Sequence, residues 1–177
     1  MARVHIDLPL TEEKAKALKI GDSVTLSGTI YAARDEAHEN LVALLERGED
    51  LPIPLNDATV YYVGPAPARP GQVIGSAGPT TSGRMDAYTP ALLKRGLRGM
   101  IGKGERSDAV IEAMKEAKAV YFGAVGGAGA LTAKCITAQK IIAWPELGPE
   151  ALRELTVKDM PLIVVIDSEG HDLYKEH

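Results

Sequence analysis

The sequence predicts an α/β domain that carries a second, partly antiparallel β layer, and three features predict it. From Gly78 onward, strand-like and helix-like segments alternate, the order that builds a largely parallel sheet flanked by helices. Near the start, Val24, Leu26, Gly28 and Ile30 alternate with Thr25, Ser27 and Thr29, the period of a half-buried strand. Near the end, Pro161-Leu162-Ile163-Val164-Val165-Ile166 forms a continuous apolar run closed by Asp167, which suits a strand buried on both faces.

Each element has its own signal. Val4 to Leu8 reads as a short strand, and Thr11 as the cap of a brief helix through Glu12, Glu13 and Lys14. After the Ser23 to Tyr31 strand, a helix runs from about Asp35 to Arg47, with Ala37, Leu41, Leu44 and Leu45 on one face and Gly48 as its stop. The proline-rich stretch from Leu51 to Pro70 holds one strand candidate, Thr59 to Val63. Beyond it we expect a helix from Asp86 to Lys94, a strand from Gly99 to Gly102 and a helix from Ser107 to Lys118. A strand from Ala119 to Phe122, a short helix from Ala128 to Lys134 and a strand near Ile141 to Trp144 follow. The length of 177 residues fits one domain, residues 1–177.

Composition narrows the function classes. A net charge of −4 argues against a broad nucleic-acid surface, although a local basic pocket is compatible with it. The one cysteine, Cys135, makes no internal disulfide and cannot by itself hold zinc or an iron–sulfur cluster. It reads as a small buried apolar residue. His5, His171 and His177 show no ligand spacing, so no metal is expected on this chain. No apolar run has the length of a membrane span and the N-terminus lacks a signal-peptide core, so a cytoplasmic location is expected.

The densest chemistry lies in Gly78-Pro79-Thr80-Thr81-Ser82-Gly83-Arg84-Met85-Asp86. If a helix opens there, its free backbone N–H groups and dipole favour an anion. Arg84 adds a fork of donors suited to a carboxylate, at a place where positive charge runs against the dipole. Arg34, in Arg34-Asp35-Glu36-Ala37-His38, is misplaced in the same sense at the start of another helix. His38 lies one helical turn from it, and a lone histidine of this kind is more often structural. Lys103, in Gly102-Lys103-Gly104, falls at the carboxyl end of a strand, where ligands of α/β sheets collect. Gly104 stands where a phosphate loop needs Ser or Thr, which rules that motif out. The Gly123 to Thr132 run follows a strand and lacks the third glycine of a dinucleotide fingerprint, leaving anion contact and close packing both open. Arg34, Arg84 and Lys103 thus occupy junctions from which loops could converge on one small dianion.

The set Gly28-Thr29-Ile30, Arg34-Asp35-x-x-His38, Gly78 to Asp86, Lys103-Gly104-x-Arg106-Ser107, Gly126-Gly127 and Trp144-Pro145-Glu146-Leu147-Gly148 resembles the iron–sulfur hydro-lyases. Specifically, it is similar to the β subunit, or C-terminal domain, of class I fumarate hydratase and L-tartrate dehydratase. The resemblance implies a swivelling β/β/α three-layer fold, with a mainly parallel sheet and a second, smaller β layer. It also implies a partner α subunit that holds a [4Fe–4S] cluster through three cysteines, leaving one iron open to the substrate hydroxyl; this chain holds none. By the same resemblance Thr80 is the catalytic base, while Arg34, Arg84 and Lys103 bind the substrate. His38, Thr81, Ser82, Gly83, Asp86, Gly126 and Gly127 are candidates for support. The implied reaction is reversible hydration of fumarate to (S)-malate in a hetero-oligomer. Dehydration of L-tartrate and a non-catalytic carboxylate-binding module are the alternatives.

Overall fold

The computed structural model describes residues 3–124 and 132–175. Seven strands form one mixed sheet: β1 (Arg3–Asp7), β2 (Ser23–Ala32), β3 (Thr59–Tyr61), β4 (Gly99–Gly102), β5 (Val120–Ala124), β6 (Ile136–Ala143) and β7 (Leu152–Ile166). Their spatial order is β1-β2-β3-β4-β5-β7-β6, and β2 also pairs with β7, so the sheet curls partly into a barrel. The pairings from β1 through β5 are parallel, whereas β7 runs antiparallel to β2, β5 and β6. The parallel run and the antiparallel strands thus share one α/β sheet. The physical reason is the length of β7, whose 15 residues reach from β6 past β2 to β5 and join both parts in one ladder.

Side-chain alternation explains the layering. Tyr61, Ile101, Phe122 and Val164 enter one buried cluster with Val24, Leu26, Ile30 and Leu155. Their chain neighbours Val60, Tyr62, Met100, Tyr121 and Val165 enter a second, packed against helical residues such as Leu41, Leu92 and Met114. The central strands therefore have no solvent face, and their near-continuous apolar sequences follow from that.

Four α-helices are found among the described residues: α1 (Glu12–Lys16), α2 (Asp35–Glu46), α3 (Thr89–Leu93) and α4 (Asp108–Ala117). Thr11 and Ser107 cap α1 and α4 by accepting from the backbone N–H three residues on, at 3.3 Å in both cases. Gly48 follows α2 at φ +70°, a conformation that glycine adopts without penalty. No helix among the described residues is long and apolar enough to cross a membrane.

One predicted helix is shorter than expected. The stretch from Asp86 to Lys94 does not form a single helix: a 3₁₀ turn covers Ser82–Met85, and α3 begins only at Thr89. The carboxylate of Asp86 is not available to cap a local helix because it accepts from Arg106 and Ser107 further along the chain. The last two strands are longer than their predicted segments, Ile141 to Trp144 and Pro161 to Ile166. The short helix expected at Ala128 to Lys134 falls largely outside the described residues.

Candidate functional site

The carboxyl ends of β2, β3 and β4 lie side by side, and the segment from Gly78 to Asp86 is laid across the last two. Thr80 N–H donates to Tyr62 O beyond β3 at 2.8 Å, Thr81 pairs in parallel with Lys103 beyond β4, and Ser82 N–H donates to Lys103 O at 2.9 Å. The hydroxyl-rich run is thus an extra strand-like step on the sheet edge. The helix start anticipated there is a single 3₁₀ turn, Ser82–Met85, and the residues before it are held by the sheet.

The side chains of this run divide by direction. Ser82 is fully buried, and its hydroxyl lies 2.7 Å from Tyr121 Oη. Tyr121 Oη in turn donates to the Gly104 carbonyl at 2.8 Å, so Ser82 must be the donor in the first bond. Burial pushes the Tyr121 phenol upward, which keeps its proton in place. Gly102 is the space that admits Ser82, since a Cβ there would stand 2.0 Å from Ser82 Oγ. Thr81, Gly83 and Arg84 are exposed, and Thr80 is half-buried. Gly83 is neither crowded nor strained: an added Cβ would meet only Glu105 O, at 3.8 Å.

Arg34 and Arg84 come together although 50 positions separate them in sequence. Arg84 donates from Nε (3.0 Å) and Nη2 (2.9 Å) to Asp35 Oδ2, while Arg34 Nε lies 3.9 Å from Asp35 Oδ1. Arg34 is the N-cap residue of α2 but makes no side-chain cap; the Glu36 N–H is served instead by Glu150 Oε1 at 3.2 Å. Its guanidinium passes over Gly64, where an added Cβ would lie 3.0 Å from Nη1. Lys103 is exposed and lines a cleft of about 320 Å³ with Gly78, Pro79 and Gly102.

His38 is a core residue. It is 1% exposed, its Nδ1 donates to Arg34 O at 2.8 Å, and burial lowers its pKa to about 4. It is therefore neutral at physiological pH and supports Arg34 from behind. Asp86 is likewise structural. It accepts Arg106 Nε and Ser107 N–H, each at 2.7 Å. The Arg106 guanidinium also binds Thr89 Oγ1 at 3.0 Å and lies over the rings of Tyr62 and Tyr121. Sequence reasoning missed this arginine as the rivet of the loop, because nothing local to it announces a partner 20 residues earlier. Gly126 and Gly127 lie outside the described residues.

Two further sequence readings can be placed. Cys135 is half-buried against the inner core, and burial raises its thiol pKa. Asp167, Glu169 and His171 are grouped within ligand reach of one another, a juxtaposition the histidine spacing did not suggest. There, Asp167 already accepts from the backbone N–H groups of Glu169 and His171, which explains the grouping as a turn.

The protein is thus an α/β domain whose mixed sheet carries Arg34, Arg84, Lys103, Thr80 and Thr81 on the segments that follow its strands or lie across their ends. The comparisons give the family. The fumarase C-terminus model matches residues 1–177, and the chain belongs to that family. It is 36% identical to the class I aerobic fumarate hydratase of Salmonella typhimurium over 178 residues, covering 98% of this chain and 31% of that protein. It is 39% identical to fumarate hydratase 2 of Leishmania major over 179 residues, covering 98% and 32%. A putative L(+)-tartrate dehydratase subunit beta of Methanocaldococcus jannaschii is 38% identical over 173 residues, covering 94% of this chain and 89% of that one. The chain thus spans about a third of the fumarate hydratases it matches.

Proposed function

We propose that this chain is the β part of a [4Fe–4S] hydro-lyase that reversibly hydrates fumarate to (S)-malate, acting with a separate α polypeptide in the cytoplasm. The observation that supports the reading is the group of Arg34, Asp35 and Arg84, with Arg84 on the same loop as Thr80 and as Thr81, which pairs with Lys103. Residues 1–177 act as one swivelling β/β/α domain in this reading. The two buried clusters, one inside the curled sheet and one beneath the helices, support a division into three layers.

The chain's own residues have definite tasks. Arg34 and Arg84 bind the two substrate carboxylates, and Lys103 supports the negative charge that develops when the C3 proton leaves. Thr80 takes that proton. An alcohol is a weak base, so the same cations must lower the cost of the negative charge on its oxygen. The described residues do not fit an iron–sulfur cluster. Cys135 is the one cysteine, short of the several thiolates a cluster needs, and it packs against the inner core. The cluster and its chemistry belong to the partner in this reading.

Dehydration of L-tartrate is the second reading, favoured by the near full-length match to a tartrate dehydratase β subunit. The test is anaerobic reconstitution with the α polypeptide, followed by turnover of malate and tartrate. Thr80→Ala should lower kcat by roughly 10²–10⁴-fold, the range for loss of a proton-transfer group. Normal turnover by Thr80→Ala overturns the assignment, and an iron–sulfur cluster on the isolated chain overturns the division of labour.

A further inference from the structure

We infer that Asp35 is a positioning residue for substrate binding: its carboxylate holds Arg84 by one edge and aims the other edge at the substrate beside Arg34. The inference rests on the proposed role of Arg84 as a carboxylate contact. It assigns a task to a carboxylate that would otherwise be an obstacle, because a negative charge next to a dianion site repels the ligand.

The geometry decides between holding and competing. Both bonds from Arg84 to Asp35 come from Nε and Nη2 and converge on Oδ2. A guanidinium carries five N–H donors in a rigid fork. With the Nε side engaged, the Nη1 side still presents donors to a second carboxylate. A competing anion would instead take the end-on fork of Nη1 and Nη2. Asp35 Oδ1 is buried without a hydrogen bond, and the Arg34 Nε that faces it at 3.9 Å is also buried without one. The carboxylate therefore lies between the two arginines and keeps them apart at a fixed separation.

Asp35 can do this because it is itself fixed. It is the first residue of α2, and the residues on either side are tied: Arg34 O accepts from both His38 N–H and His38 Nδ1, and Glu36 N–H donates to Glu150. Arg84 has no such support. Its side chain is 53% exposed on a 3₁₀ turn, and Asp35 is the one carboxylate among the described residues within ion-pair distance of it. Freed from Asp35, the long side chain would sample many rotamers and would have to be ordered again by each substrate molecule.

The experiment is steady-state kinetics of the reconstituted complex with Asp35→Ala, Arg84→Ala and the double variant, each checked for an unchanged thermal transition. Asp35→Ala should raise KM for the diacid roughly 10–30-fold, the scale of losing one side chain's rotamer order, and change kcat by less than about threefold. In the Arg84→Ala background it should add almost nothing. If Asp35→Ala leaves KM unchanged or lowers it while Arg84→Ala raises it, Asp35 does not position Arg84 and the inference fails alone. If its effect is as large in the Arg84→Ala background, the inference also fails alone. If Arg84→Ala itself leaves turnover intact, the reading of the site fails, and this inference with it. Should Asp35→Ala not fold, Asp35→Asn carries the same test with a smaller rise in KM.

Discussion

Removing the Asp86 carboxylate should destabilise the chain more than any change on the exposed surface of the same loop. The Arg106 side chain has no exposed surface, and Asp86 supplies its one ionic partner, at 2.7 Å. Asp86→Ala leaves a guanidinium charge in the core with only Thr89 Oγ1, Met100 Sδ and the faces of Tyr62 and Tyr121 around it. It also leaves the Ser107 N–H without its acceptor. Breaking a buried pair by removing one partner costs about 3–5 kcal/mol, most of it the uncompensated charge. For a chain of this size that corresponds to a fall in Tm of roughly 10 °C. The assay is equilibrium unfolding in urea, with the Asp86→Ala, Arg106→Met and double variants compared. Because Met removes the stranded charge, the double variant should be more stable than Asp86→Ala by about 2 kcal/mol or more. Simple additivity, with the double variant losing the full sum of the single losses, would refute the account of a paired rivet. So would an Asp86→Ala variant within about 1 kcal/mol of the parent.

Two further outcomes are expected. Gly102→Ala should cost about 2–3 kcal/mol, since the new methyl meets Ser82 Oγ and the Tyr62 ring; replacing Ser82 by Ala as well should recover only part of that loss, because the 2.7 Å approach to Tyr62 Cδ2 remains, as measured by urea unfolding. His38 should make the chain acid-sensitive. Its folded pKa of about 4 lies below the unfolded value, so the unfolded chain binds the extra proton first and stability falls as pH drops from about 6.5 to 4. The full loss is about 3 kcal/mol, and it should appear as a narrowing gap between the parent and His38→Asn in urea melts across that range. A gap that stays constant with pH would show that His38 is not held neutral.

The sequence-based reading was strongest where local chemistry and tertiary structure agree. The cap at Thr11, the stop at Gly48 and the alternation in β2 all depend on neighbours a few residues away, and all appear in the structure. It was weakest where periodicity is interrupted. The first half of β7 was not recognised because its buried residues Leu152, Leu155, Val157 and Met160 do not keep a spacing of two. Asp159 has φ +50° and the register against β2 shifts there, as a bulge requires. At the site, Arg34, Arg84 and Lys103 were legible because each is a cation at an element junction. The connections between them were not. Asp35 binding Arg84, Glu150 serving the start of α2, and Arg106 pairing with Asp86 each span 20 or more positions.

Those long-range connections explain how a short loop can expose a hydroxyl-rich run without losing its shape. The Gly78 to Asp86 segment is fixed at Thr80 N–H, at Ser82 N–H and at the Asp86 carboxylate. Ser82 and Met85 turn into the core between these anchors. What remains outward is set by exclusion: Thr81, Gly83 and Arg84, with Thr80 half-buried at the rim. The two arginines tied to this loop show the same division. Arg106 is sealed and bonded through all three of its nitrogens, while Arg84 is exposed and tied to Asp35 through Nε and Nη2. A buried guanidinium bonded through every nitrogen holds a fold together. One held along a single edge keeps donors for something else.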